Sequence, residues 1–353
     1  MKKKVFFAIA VVFVILSAVA TGFYLNYRQQ VATVMSSHYS VDYFCDIKVT
    51  AVGDCTFGTD VETEGALSFN SEYKNQNGDS TYFLKNVARY FEDDDLTIVN
   101  FEGTLSENGE REDKQFAFRG LPEYAKILTS GSVEAANIAN NHSRDYGEIS
   151  FADTKKILSE NGIIWCEGKN YGFYEKGKFK VALVGTNLQR FDGEAGLLSR
   201  LEDVKREEPD LIIASFHWGE EGSPVPNETQ SRLARLLIDN GADLVIGHHP
   251  HVLQGVEKYN GKYILYSLGN FCFGGNKNPK DKDTMIFKQT FTFKNGKLYG
   301  DKAYIVPCSI SSVSERNNFQ PTPLSGAEYK RVKQKIKDRS QGFSGIEDIE
   351  FVK

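Results

Sequence analysis

From about residue 46 onward, apolar residues come in short runs separated by polar turns. Runs at 47–52, 96–100, 133–139, 179–184, 211–216 and 244–246 have the length and β-branched content of buried strands. Helical spacing fills the intervals. It predicts helices over 83–91, over 122–129 with Pro122 in the first turn, over 151–160 closed by Gly162, and over 228–239 with Leu233, Leu236 and Leu237 on one side. Strands alternating with helices predict an α/β domain. Further on the pattern changes. Asn260-Gly261 and Asn295-Gly296 each sit between alternating segments, the signal of a tight hairpin. The C-terminal half therefore adds antiparallel strands, and the whole predicts two sheets packed as a sandwich with helices outside. No internal repeat is present.

The N-terminus follows another rule. Residues 5–25 carry no charge and follow Lys2, Lys3 and Lys4. As a helix they would span roughly 31 Å, about the thickness of a bilayer's hydrocarbon core. The basic flank holds that end in the cytoplasm and sends the remainder outside. A signal peptide cut after Ala18-Val19-Ala20 is the competing reading, and it too exports the domain. The expected organisation is a basic flank and transmembrane anchor over 1–25, a polar stalk over 26–45, a domain over 46–319, and a linker with a basic surface helix over 320–353. The expected location is the cell membrane, single-pass with the C-terminal domain extracellular, or secretion after cleavage.

Charge and cysteine content narrow the function. The net charge is −5, and −8 without the three N-terminal lysines, so the basic footprint of a nucleic-acid partner is missing. The five cysteines are odd in number and form no CxxC pair, which excludes a disulfide framework or zinc finger and leaves one or two disulfides open.

The chemistry sits where the apolar runs end. Asp54 lies in VGDCTFG, Asn100 and Glu102 in VNFEGT, Asn141 and His142 in NNHSRDYG, His217 in HWGEE, and His249 and His251 in GHHPH. Five of the six histidines fall in these motifs. Sites of α/β sheets collect beyond the carboxyl ends of strands. Oxygen and imidazole donors together suit Zn, Mn or Fe, whereas Ca takes oxygen alone. In an extended segment, residues two apart share a face. His249 and His251 then point into one pocket and His248 away, with Pro250 keeping His249 extended. Asn100 and Glu102 share a face likewise. The two oxygens of Glu102 suit a bridge between two metals about 3.5–4 Å apart, the clamp used for in-line displacement at phosphorus. His142 is then free to stabilise or protonate a leaving oxygen. The other motifs alone read about as well as a turn, a cap or a packed histidine, whereas GHHPH is harder to explain away; their coincidence at strand ends favours one shared site.

The ordered set GD, NxE, NNHxxDxG, HWGxE, GHHPHVxQ and YSLGNFxFG, from about Ile47 to Gly274, resembles the CapA-type poly-γ-glutamate capsule biosynthesis family, a branch of the calcineurin-like metallophosphoesterase superfamily. The resemblance implies a four-layer α/β/β/α sandwich behind an N-terminal anchor, and a site for two divalent ions (Mn, Zn or Fe). It makes Asp54 the first metal-binding acid, Glu102 the stand-in for a bridging aspartate, Asn141 the asparagine ligand, and His217, His249 and His251 the later ligands. His142 becomes the catalytic histidine and Asp145 its orienting partner. Glu221 matches the acid of HWGxE, Pro226 and Gln230 a following PxxxQ, and Asn100, Glu221, Gln254 and Asn270 are assigned to the substrate cleft. Two positions depart from the superfamily: Thr56 replaces a histidine ligand, and Glu102 is longer by one methylene than aspartate. Cys55 and Cys272, inside motifs, read as packing residues. Poly-γ-glutamate has no phosphate ester, so two function classes stand. One is an outward-facing metal-dependent hydrolase, most simply a phosphoesterase acting on a phosphorylated or lipid-linked envelope intermediate. The other is a non-catalytic module gripping a carboxylate polymer. The partners implied are a cell-envelope polymer or its precursor and membrane synthesis or export proteins.

Overall fold

The computed structural model describes residues 17–30 and 42–353. Residues 17–30 are helical. Residues 5–16 of the expected anchor and 31–41 of the expected stalk lie outside the described residues, and among the described residues no helix is long and apolar enough to cross a membrane. The chain divides into a small unit, which includes Lys294–Gly296, and a large one of Asp46–Phe293 with Lys297–Lys353. In the small unit, Tyr43 and Asn295 exchange hydrogen bonds of 3.0 and 2.8 Å.

In chain order the strands are β1 (Phe44–Thr56), β2 (Leu96–Phe101), β3 (Thr104–Leu105), β4 (Arg119–Gly120), β5 (Ala135–Asn137), β6 (Ile164–Cys166), β7 (Gly172–Lys176), β8 (Phe179–Asn187) and β9 (Leu211–His217). They continue with β10 (Leu244–His248), β11 (Val256–Tyr259), β12 (Lys262–Leu265), β13 (Asn270–Phe273), β14 (Asp283–Lys294), β15 (Lys297–Ser309), β16 (Thr322–Pro323) and β17 (Glu350–Phe351). One sheet runs β16-β15-β14-β1-β2-β5-β6, with β13 beside β1 and β17 beside β15; the other runs β11-β12-β10-β9-β8-β7. The strand–helix alternation thus yields the expected α/β fold. Both Asn-Gly pairs are turns with positive φ at both residues, between β11 and β12 and between β14 and β15, as a type I′ hairpin requires.

Burial explains why the central strands read as continuous apolar runs. Val52, Val99 and Ala136 join a core with Phe69, Leu128 and Phe151 from the first sheet's helical cover. Val184, Ala214 and Val245 do the same with Leu201, Leu233 and Leu237 on the second. The alternate residues Ala51, Ile98, Ala135, Leu183, Ile213 and Ile246 are equally buried, so both faces of each sheet are covered. The helix Glu228–Asp239 has the expected bounds because Asn227 and Gln230 form a reciprocal capping box.

Register then sets the site. β1, β2 and β5 lie parallel with Asp54 beside Asn100 and Asn100 beside Asn137. β8, β9 and β10 lie parallel with Asn187 beside His217 and His217 beside His248. The pairing of β1 shifts between Ala51 and Asp54. Gly53 sits in that shift: a Cβ there would stand 1.9 Å from the Gly269 carbonyl oxygen, which accepts the Asp54 N–H at 2.9 Å.

Two expected elements differ. Of 83–91, only Ala88–Phe91 is α-helix; Phe83, Leu84 and Val87 are buried as their spacing predicts, but in turns. The segment 320–326 is no free linker, since β16 pairs antiparallel with β15. The basic helix after it, Gly326–Arg339, is docked by buried Tyr329, Val332 and Ile336. The surrounding lysines mask their spacing along one side in the sequence. All five cysteines are free.

Candidate metal centre

Asp54 is fully buried at the end of β1. The Asn100 amide donates to its Oδ1 at 2.9 Å and accepts from Asn137 at 3.0 Å, tying three strand ends together. Glu102 lies one residue past β2, its N–H bound to the Cys55 carbonyl at 2.8 Å. Its carboxylate is wholly buried, and neither oxygen has a hydrogen-bond partner among the described residues. Around it, the Nε2 atoms of His142, His217 and His251 each stand 3.8 Å from Oε1. An unpaired buried carboxylate costs roughly several kcal/mol unless something compensates it. Donors held about 2.0–2.2 Å from one ion stand about 3–4 Å from each other. The donor atoms of Asp54, Glu102 and His217 lie within 4.8 Å of one another, as do those of Glu102, His249 and His251. Glu102 belongs to both groups. This donor set fits divalent metal.

The GHHPH turn reaches the site by a route the spacing does not reveal. His249 and His251 have φ of +95° and +58°, so the segment is not extended and Pro250 does not hold it so. Such backbone costs of order 1–3 kcal/mol per residue and persists where the surroundings impose it. It swings His249 to a ring distance of 4.6 Å from His217. His251 is steadied by Asn270, with Nδ1 to Oδ1 at 2.9 Å, and its Nδ1 is 3.2 Å from Asp54 Oδ2. His248 does not face away. As the last residue of β10 it keeps that strand's alternation and points inward, buried, with Nδ1 3.2 Å from Asp54 Oδ1 but outside hydrogen-bond geometry.

The electrostatics follow. Burial works against ionisation of Asp54, yet His248 and His251 hold its carboxyl well below the usual range. Burial likewise opposes charge on His251, but Glu102 and Asp54 push it up to about 10. Asp54 and His251 form a buried ion pair. Burial, with Asp54 adding repulsion, pushes Glu102 up. His217 is held neutral by burial and by neighbouring His249.

His142 is built differently. Its Nδ1 pairs with Asp145 Oδ2 at 2.7 Å, and that oxygen also accepts the Phe118 N–H at 2.6 Å. Lys114 donates to Asp145 Oδ1 at 2.7 Å and to the Asn141 carbonyl at 3.0 Å. The Phe118 ring lies 4.4 Å from the imidazole. Burial lowers the His142 pKa against the pull of Asp145. Asn141 meets His217 Nε2 through Oδ1 at 2.7 Å. Lys114 and Phe118 escape a sequence reading: they lie in ENGEREDKQFAF, where one lysine among many charges carries no signal.

A cleft of about 320 Å³ opens beside His142 and His251, lined also by Glu221, Asn270, Phe116, Phe118 and Phe273. Two residues assigned to it are elsewhere. Asn100 is spent on Asp54 and Asn137, fully buried. Gln254 is fully buried between the Gln230 amide, at 2.9 Å, and the Ser223 carbonyl, at 2.9 Å. Cys55 and Cys272 face the hydrophobic core as expected, and burial pushes the Cys55 thiol up to about 12.

The family model for the bacterial capsule synthesis protein PGA_cap matches residues 48–187 and 174–275. The chain belongs to this family. It is 31% identical to the PGA biosynthesis protein CapA of Bacillus subtilis (strain 168) over 77% of this chain and 72% of that one. It is 29% identical to the capsule biosynthesis protein CapA of Bacillus anthracis, over 84% and 74%. Among solved structures, a hypothetical protein from Thermus thermophilus is 16% identical with a TM-score of 0.45, over 74% of this chain and 99% of that one. A 5'-nucleotidase from Candida albicans is 12% identical with a TM-score of 0.40, over 83% and 56%. At these TM-scores the likeness is too loose to bear on chemistry. In the CapA-like chain Asp54, Glu102, His217, His249 and His251 meet at one place, beyond the carboxyl ends of β1, β2, β9 and β10.

Proposed function

We propose that this chain is a membrane-tethered, outward-facing component of poly-γ-glutamate capsule synthesis or export, with a divalent-metal site of phosphoesterase type on a four-layer α/β/β/α sandwich. The observation that carries the reading is Glu102: a buried carboxylate without a donor, ringed by imidazoles at 3.8 Å. Asp54, Glu102, Asn141, His217, His249 and His251 would hold up to two ions (Mn, Zn or Fe), with Glu102 shared. Such ions supply Lewis-acid stabilisation of developing charge and an acidified water. The chain's own residues do the rest. Asp145 occupies His142 Nδ1, so Nε2 is the atom that faces Glu102 and gives a proton to a leaving oxygen. Phe116, Phe118 and Phe273 line the cleft beside it with apolar surface. The substrate is a phosphorylated or lipid-linked envelope intermediate. Residues 5–25 tether the protein or direct its export.

A second reading rests on Thr56. It stands where the superfamily has a histidine ligand, and its hydroxyl is buried without a partner. A site weakened there would grip a carboxylate polymer through its cations and perform no chemistry. His142→Ala separates the two. Metal content should survive and polymer binding should persist, while hydrolysis of a generic phosphodiester should fall about 10²–10⁴-fold. Unchanged hydrolysis would remove the catalytic reading. A parent protein that takes up neither Mn nor Zn would remove the metal site itself.

A further inference from the structure

The loop joining β13 to β14 lines two cavities. Pro279, Lys280 and Asp281 line the 320 Å³ cleft and also line a larger cavity of about 890 Å³. That second cavity is bounded by the 309–314 segment and the helix Gly326–Arg339. The loop is tied down: the Lys277 carbonyl accepts the Asn317 N–H and the Lys282 carbonyl the Ile310 N–H, both at 2.9 Å. The geometry points to one continuous trough, in which the larger cavity is a subsite for the distal part of an extended, carboxylate-bearing chain whose near end lies at the Glu102 cluster. This rests on the polymer reading above and adds where the chain lies and how long it must be.

The lining chooses the ligand class. Lys280, Lys282, Arg331 and Lys335 line the larger cavity together with Asp281, Asp283 and Glu328, leaving one net positive charge. The acids anchor the cations without exhausting them. Arg331 gives two donors to Asp283, both at 2.7 Å, and one to Glu328 at 2.9 Å. Lys335 gives bonds of 2.7 and 2.8 Å to Asp281 and Asp283. Guanidinium has five donors and ammonium three, so each keeps spare capacity. Cations already held in place lose little freedom when a carboxylate arrives. Lys280, exposed at the junction of the two cavities, makes no ion pair among the described residues. The exposed Ser312 and Ser314 add polar groups on the far wall.

The test uses the full-length protein and two probes: long-chain poly-γ-glutamate and a γ-glutamyl trimer. Lys280→Glu alters the junction; Ser314→Glu alters the far wall alone. Both side chains are exposed, and thermal melting checks that both variants fold. Long chains should bind the parent at least about tenfold tighter than the trimer. Lys280→Glu should weaken long-chain binding about tenfold, and Ser314→Glu about threefold with the trimer unaffected. Long chains binding both variants like the parent, or a trimer as tight as the polymer, would overturn the trough and leave the polymer reading standing. A parent that binds neither probe overturns both.

Discussion

His142 and Glu102 are neighbours, yet the fold treats them in opposite ways. The His142 side is complete: Asp145, Lys114, Phe118 and the Asn141 carbonyl satisfy one another within 3.0 Å. The Glu102 side is left open, with both carboxylate oxygens and His249 Nδ1 lacking hydrogen-bond partners among the described residues. On the proposed function, a group that must hold one orientation and move a proton would be finished by the protein, and groups that await a cation would be left unfinished, a cost in the metal-free protein that a bound ion would recover.

The largest test of this contrast is Glu102→Gln. Metal uptake, read by elemental analysis, should be lost, while the metal-free protein should gain about 1–3 kcal/mol of stability in urea at a pH high enough to ionise the raised Glu102 carboxyl, because an unpaired buried charge is then gone. A less stable metal-free variant would break the comparison. The parent alone should then be stabilised by added metal, by about 2.7 kcal/mol at a hundred times Kd.

Asp145→Asn probes the complete side. It should leave metal content near the parent's and cut phosphodiester hydrolysis about 10–100-fold, by loosening the His142 ring. Loss of metal instead would show that the two sides are one unit.

The third test uses pH. The His251 pKa is raised to about 10 by Glu102 and Asp54. A raised histidine contributes stability that is full below its unfolded pKa, about 6.5, and lost as pH rises through about 10. Metal must displace that proton, so affinity should climb about tenfold per pH unit below 10. Calorimetry in buffers of different ionisation enthalpy should show about one proton released per binding event; no release would contradict the Asp54–His251 pair.

The smallest effect is expected at Gln254→Ala. Its amide is a buried link between Gln230 and the Ser223 carbonyl. Stability should fall about 1–2 kcal/mol with metal content and hydrolysis unchanged. A selective loss of substrate binding would return Gln254 to the cleft.

Much of this is legible in the chain. Strand ends carrying Asp54, Glu102, His142, His217 and GHHPH announce a site, because parallel strands bring their carboxyl ends to one edge. Asn-Gly pairs announce hairpins through their tolerance of positive φ. The departures are equally physical. Alternation counted back from His249 sends His248 outward, whereas the pleat of β10 ends at His248 and the backbone then turns through positive φ. Motif position sends Asn100 and Gln254 to the cleft, because a motif shows proximity in sequence and does not show which side chains a neighbour has already consumed. Lys114 and Phe118 stay hidden because their roles exist only once the loop between β3 and β4 lies across Asp145.

The α/β class, the hairpins and the kinds of donor at the strand ends follow from local periodicity, turn chemistry and residue type, and these are properties of the chain read in one dimension. Which donors are spent on each other and which stay open is settled in three dimensions. That division depends on register between strands far apart in the chain: Asp54 beside Asn100, His217 beside His248, and Glu102 beside nothing described that donates a proton to it.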